Sequence, residues 1–209
     1  MIFLFLYFTL KGLIIIITSK SFKTTFNPYI NQKRLYIAYG SNMSIDQMNI
    51  RCPGAILAGV GILKGWRLMY KMSCTGAYAT IEKQKGFNIP VVLWLIDDYH
   101  ELMLDQYEGC PRHYYKQRVK VNNIINYTDD VIPSTGIIYI LPEDRAFNTP
   151  SYRYYSILQD AYDMFGFDMD ILEDSLIYTV NSMRKEYLKK RVKKKTKYRQ
   201  RKVKIVKTA

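Results

Sequence analysis

Four strand-length runs follow one another between residues 55 and 96: "AILAGVGIL", "WRLMYK", "AYATIEK" and "VVLWLI". Each is rich in β-branched, aromatic or alternating residues, and glycine or proline parts it from the next, which is how consecutive sheet strands are written. A body built this way is β-rich and leaves room for only a few helices. Ser44 with Gln47 forms a capping box for a short helix through Arg51, and Asp98 with Glu101 forms a second, ahead of an apolar face of Leu102, Met103, Leu104 and Tyr107 that ends at Gly109. Ser151 opens an amphipathic region, "SYRYYSILQDAYDMFGF", which resumes as "DMDILEDSLIYTVNSMRKEYLKK". With the strand "RLYIAY" before these elements, and "YKQRVKV" and "GIIYIL" between the helices, the order argues for an α+β domain with a strongly bent or closed sheet.

The domain occupies residues 33–183, between two appendages of different character. Residues 1–32 begin with the apolar "MIFLFLYFTLKGLIIIIT" and continue as a polar linker, "SKSFKTTFNPYINQK" through Lys33. Three readings fit the apolar start: a membrane anchor of barely sufficient length with Lys11 in its middle, a secretory signal, or an extension outside the domain. A signal fits poorly, because no basic segment precedes the run and no small-x-small site follows it. At the other end, residues 184–209 carry 14 Lys and Arg against one acidic residue, Glu186; taking them from the chain's 31 basic and 18 acidic side chains leaves 17 of each sign. The net charge of +13 is therefore a property of the tail, which either stays solvated or makes a weak polyanion contact. Cys52, Cys74 and Cys110 are odd in number and include no C-x-x-C pair, so neither a disulfide framework nor a structural zinc site is indicated, and a cytoplasmic location is expected, with membrane anchoring as the alternative.

Two short stretches could carry chemistry. In "YIAYGSNM" (Tyr36–Met43) a glycine directly after a strand lets the backbone turn and expose successive N–H groups, which can cradle a carboxylate or an oxyanion; the same letters also spell an ordinary turn. In "LDQYEGCPRHYY" (Leu104–Tyr115) the lone Glu108 stands at a helix end, either as a solvated carboxylate or as a proton carrier. The second role requires burial that raises its pKa above the usual carboxylate value. Asp105, one turn earlier, competes for that role or stays ionised beside a donor. Cys110 and His113 also suggest a thiol and its base, but Pro111 between them argues against a helical i to i+3 meeting, and such pairs normally meet through tertiary structure rather than short spacing.

Taken in order, "YIAYGSNM", "RCPGA", "GWRLMY", "ATIEK", "VVLWLI", "LDQYEG" and "PSYRYYSIL" resemble the gamma-glutamylcyclotransferase family, which includes the AIG2-like proteins; the resemblance spans roughly Arg34 to Phe167. It implies a compact mixed α/β fold around a β-barrel with flanking helices, and no metal or organic cofactor. It further implies a small-molecule gamma-glutamyl substrate cyclised to 5-oxoproline with release of the free amine, an intramolecular amide cyclisation of lyase or acyltransferase type. By the same resemblance the catalytic glutamate falls on Glu108, the ligand-holding loop on Tyr39, Gly40, Ser41 and Asn42, and two further pocket tyrosines on Tyr115 and Tyr139. The alternative from another class is a non-catalytic or differently specific pocket module whose basic tail binds nucleic acid or anionic membrane.

Overall fold

The computed structural model describes residues 33–207, with side chains through residue 196, and ahead of them the backbone of strand residues 9–10, 13–18 and 21–26. Strands β1 (Thr9–Leu10), β2 (Leu13–Thr18) and β3 (Ser21–Phe26) form a separate antiparallel sheet in that order. Residues 21–26, read above as linker, are therefore strand. Threonine and phenylalanine in "SFKTTF" suit a pleated backbone, and β3 pairs with β2 along its length. Residues 1–8 of the apolar start lie outside the described residues, and among those described no helix is long and apolar enough to cross a membrane.

The domain is built on a six-stranded mixed sheet in the order β7-β9-β4-β6-β5-β8. Its strands are β4 (Arg34–Ala38), β5 (Ile56–Met72), β6 (Ala77–Ile96), β7 (Tyr115–Lys120), β8 (Asn122–Asn126) and β9 (Thr135–Ile140). Four helices accompany them: α1 (Ile45–Arg51), α2 (Asp98–Glu108), α3 (Tyr152–Met164) and α4 (Met169–Lys207). The α+β class expected from the sequence is the class observed. The sheet is not closed into a barrel: β7 and β8 are its edges and share no ladder. It is bent, because Val121 alone joins these opposite edges in the chain, so the sheet must curve far enough to bring their ends together.

The four runs between residues 55 and 96 are two strands rather than four. β5 and β6 form one long hairpin, paired from Ile56 opposite Leu95 to Met72 opposite Ala77; Gly65, which looked like a strand end, marks a slip in register between Lys64 and Trp66, and a second slip lies between Leu57 and Gly59. Pro90 sits within β6 opposite Ile62. Bulges of this kind add bend to a long ribbon without ending it. β8 was not foreseen, since "NNIIN" is too polar to stand out; it pairs with β5 near Gly59 and Val60.

Strand β4 lies inside the sheet, antiparallel to β6 and parallel to β9, and Leu35 through Tyr39 are all buried. Its burial on both faces explains why "LYIAY" is almost wholly apolar. Burying side chains such as Ile37, Leu93 and Trp94, each at most 2% exposed, stabilises the fold by about 1.5–3 kcal/mol apiece. Helix α4 buries Leu172 in the core and docks on β5 through Thr179, whose hydroxyl accepts a hydrogen bond from the Tyr70 backbone N–H at 3.0 Å. The boundary drawn at Arg184 falls inside this helix, whose side chains from Tyr187 to Thr196 are all exposed.

Candidate active site

The polypeptide leaves β4 at Tyr39 and Gly40 and turns through a short 3-10 segment, Ser41–Met43, into α1. Ser44 caps α1 as expected, accepting from the Gln47 backbone N–H, but the Gln47 side chain binds Arg51 instead of closing the box. The turn is close-packed at Gly40, where a Cβ would lie 3.1 Å from the Tyr154 hydroxyl and would press that side chain back by a few tenths of an ångström. That hydroxyl accepts from the backbone N–H of Ala79 at 3.2 Å and faces the N–H of Ser41.

Asn42 is 4% exposed, yet every polar atom of its amide has a partner. Its Oδ1 accepts from the Arg51 guanidinium, which also donates to Ser41 Oγ at 3.0 Å and to Gln47 Oε1. This fixes the amide's orientation: with the oxygen facing a cation, the nitrogen must face the other way. Asn42 Nδ2 donates to Tyr36 Oη at 2.7 Å and to Glu108 Oε1 at 3.0 Å. The Asn42 carbonyl in turn accepts from the Trp94 indole at 3.0 Å, pinning the turn to β6.

Glu108 arrives from the opposite side, on the last turn of α2. That helix is capped by Asp97, one residue before the expected cap: Asp97 accepts from the His100 backbone N–H, and the His100 ring accepts from the Asp97 N–H. A histidine thus does what Glu or Gln does in the usual box, which frees Glu101 to bind Arg34 and Lys116. At the far end Gly109 takes a left-handed conformation and the chain turns away, leaving the Glu108 carboxyl within the molecule. Burial pushes the Glu108 pKa up to about 7, opposed by the Arg51 charge and the Asn42 hydrogen bond. A cavity of about 350 Å³ opens beside it, bounded by the Tyr39–Asn42 turn, by Tyr36 and Tyr139 of the sheet, and by Tyr114 and Tyr154. The volume suits a small molecule, and at neutral pH Glu108 can both take and give a proton.

Residues 36–158, which contain all of this geometry, match the family described as gamma-glutamyl cyclotransferase, AIG2-like. The chain belongs to that family. A mouse relative, gamma-glutamylcyclotransferase, is 32% identical over 88 residues, covering 39% of this chain and 47% of the relative, so the matched stretch spans about half of that protein. Among solved structures, one described as a gamma-glutamyl cyclotransferase superposes with a TM-score of 0.59 at 24% identity, over 68% of this chain and 86% of its own. An uncharacterized human protein superposes with a TM-score of 0.58 at 26% identity, over 69% and 86%.

In this family member the expected site residues are not all placed alike. Glu108, Tyr39, Gly40, Ser41, Asn42 and Tyr139 line the cavity together, but Tyr39 gives its hydroxyl to the Tyr139 carbonyl at 2.6 Å, and Tyr139 gives its own to Asp105 Oδ1 at 2.6 Å. Both hydroxyls brace the wall. Tyr115 lies outside the cavity lining and its neighbour Tyr114 is within it, because successive side chains at the start of β7 point to opposite faces. Asp105 is held in an ion cluster by Lys116 at 2.9 Å, on the sheet side of α2. Sequence reading missed Arg51, Tyr36, Tyr114 and Tyr154. For Arg51 a signal existed: "NMSIDQMNIR" places it on the same helical face as Gln47, four residues before it, and so on the side facing the turn.

Proposed function

We propose that this protein cyclises a gamma-glutamyl amine or amino acid to 5-oxoproline and releases the free amine. The observation that carries the reading is a buried carboxyl, Glu108, oriented by Asn42 at the wall of a cavity of small-molecule size. In such a substrate the α-amine attacks the γ-carbonyl of the same molecule, so no protein nucleophile is needed. A new C–N bond closes the five-membered lactam, and the old C–N bond to the leaving amine breaks. Two protons leave the α-ammonium nitrogen, one before attack and one as the lactam closes; Glu108 takes each in turn as carboxylate and passes it to the departing nitrogen, which leaves as the ammonium, so the carboxylate ends the cycle as it began. Backbone N–H groups of the Gly40–Asn42 turn, with that of Ser41 drawn from the Tyr154 hydroxyl it faces, would hold the substrate carboxylate or the developing oxyanion, and losing one such donor typically costs about 3 kcal/mol in the transition state. The apolar ring faces of Tyr36, Tyr114 and Tyr154 hold the chain of the substrate folded, which supplies the orientation term. Family membership and the relatives named for this activity support the reading. Incubating the protein with a panel of gamma-glutamyl amino acids and gamma-glutamyl amines, and measuring 5-oxoproline, tests it; 5-oxoproline from none of them would refute it.

A second reading concerns the tail. The exposed, basic stretch of α4 from Lys189 to Lys195 suits a polyanion, held by Lys and Arg through counterion release. Binding to RNA or to anionic vesicles that weakens with salt and disappears on truncation before Arg184 would support it, and salt-independent binding would not.

A further inference from the structure

The histidine that the sequence set beside Cys110 has a different thiol partner. His113 meets Cys74, 39 residues away in the chain, with Sγ 3.2 Å from Nδ1 and 3.5 Å from Nε2. Cys74 is exposed on the turn between β5 and β6, a turn closed by the Ser73 N–H donating to the Gly76 carbonyl at 2.7 Å. His113 comes from the loop after α2, where its N–H donates to the Gly109 carbonyl at 2.9 Å. Its ring lies over Gly109 so closely that a Cβ there would sit 2.5 Å from Cδ2. The imidazole is thus seated by backbone that only glycine leaves open, and both members of the pair stand on the cavity wall. The proposed cyclisation uses neither of them.

We propose that Cys74 and His113 form a thiol–disulfide exchange site at the rim of the cavity, whose ligand class is small disulfides. His113 takes the thiol proton as Sγ attacks one sulfur of the incoming disulfide; the Cys74 S–S bond forms, the original S–S bond breaks, and the proton passes to the departing thiolate. The electron count closes within the two reactants, since the disulfide is reduced to one free thiol as Cys74 is oxidised to the mixed disulfide. The other two cysteines are poorly suited. Cys52 is 1% exposed, its thiol is directed at the His100 carbonyl, and burial pushes its pKa up to about 11. Cys110 is part-buried and raised, first by burial and then by the Asp105 charge. A thiolate is the attacking species, so a paired, accessible thiol should outpace both.

The test treats the reduced full-length chain with 2,2′-dithiodipyridine, a neutral disulfide whose exchange releases coloured thiopyridone, and maps the adduct by peptide mass. The expected result is one fast equivalent, about tenfold or more ahead of the others, carried by Cys74. Cys74→Ser should lose the fast equivalent, and His113→Asn should slow it about tenfold while circular dichroism shows the fold retained. A fast adduct mapped to Cys110, a fast equivalent that survives Cys74→Ser, or a folded His113→Asn that reacts at the original rate would overturn the proposal. If His113→Asn does not fold, the adduct map of the unmodified sequence decides alone. None of these readings depends on turnover of a gamma-glutamyl compound, so they stand or fall apart from the proposed activity.

Discussion

Asn42 donates to Glu108 across 3.0 Å, although 66 residues separate them in the chain. That one hydrogen bond joins the turn after β4 to the end of α2, and with it the two stretches in which sequence alone saw chemistry. The relationship is directional. Arg51 holds the amide oxygen, so the amide nitrogen is presented to the carboxyl. Burial raises the pKa to about 7, so carboxyl and carboxylate are both populated at physiological pH, and the hydrogen bond holds the group in place.

The first prediction is a pH profile. In the proposed mechanism Glu108 must be ionised to accept the α-ammonium proton, and its pKa is raised to about 7. The acid limb of kcat/KM for 5-oxoproline formation should therefore fall, with unit slope, below pH about 7. A limb near the ordinary carboxylate value would mean that the group in control is not buried Glu108.

Stability should show the same group with the opposite sign. A folded-state pKa raised above the unfolded one gives stability that is full below the unfolded value and lost as pH rises through about 7. Glu108→Gln removes that loss. The variant should match the unmodified protein at pH 4 and exceed it by up to about 3 kcal/mol above pH 8, as read by denaturant unfolding. Equal stability at both pH values would contradict the burial assigned to this carboxyl.

Arg51 separates charge from geometry. Arg51→Met removes the cation that holds the Glu108 pKa down, so the acid limb should move above about 7. Arg51→Lys keeps the charge but cannot reach Ser41, Asn42 and Gln47 with one planar fork, so its limb should stay while the rate falls about tenfold to a hundredfold. Steady-state rates across pH for both variants check this.

Asp105 and Tyr139 should behave as one unit. Tyr139 donates to Asp105; Tyr139→Phe removes that contact, and Asp105→Asn, whose amide oxygen still accepts, removes its charge. A double-mutant cycle on unfolding free energy should give a coupling of about 1 kcal/mol, and Asp105→Asn should reduce turnover less than Glu108→Gln. Additive effects would place the two residues in separate roles.

Much of this was legible in the chain, for physical reasons that differ by residue. Glycine at position 109 ends α2 as read, because the left-handed turn there has a strong local signature. Ser44 and Ser151 cap their helices as read, since a cap depends on near neighbours alone. Asp97 was missed because a histidine at the third helical position is not the usual signal, and a ring nitrogen had to be seen in place to be counted. Gly65 and Pro90 misled, for residues that end short strands also sit within long bulged ones when a partner strand continues past them. Tyr115 and Tyr114 show the limit most clearly: a one-residue shift in a strand exchanges wall for exterior, and no local pattern in "HYYK" fixes that phase. The Cys74–His113 meeting lay beyond sequence altogether, since it depends on where the β5–β6 turn folds over the loop after α2.

The most direct measurement of the central claim compares single-turnover 5-oxoproline release by the unmodified protein and by Glu108→Gln, on a gamma-glutamyl compound that the unmodified protein cyclises. The account predicts that the variant binds the compound, is folded, and releases no 5-oxoproline above the uncatalysed rate. Release at the unmodified rate from folded Glu108→Gln would show that the proton travels by another group.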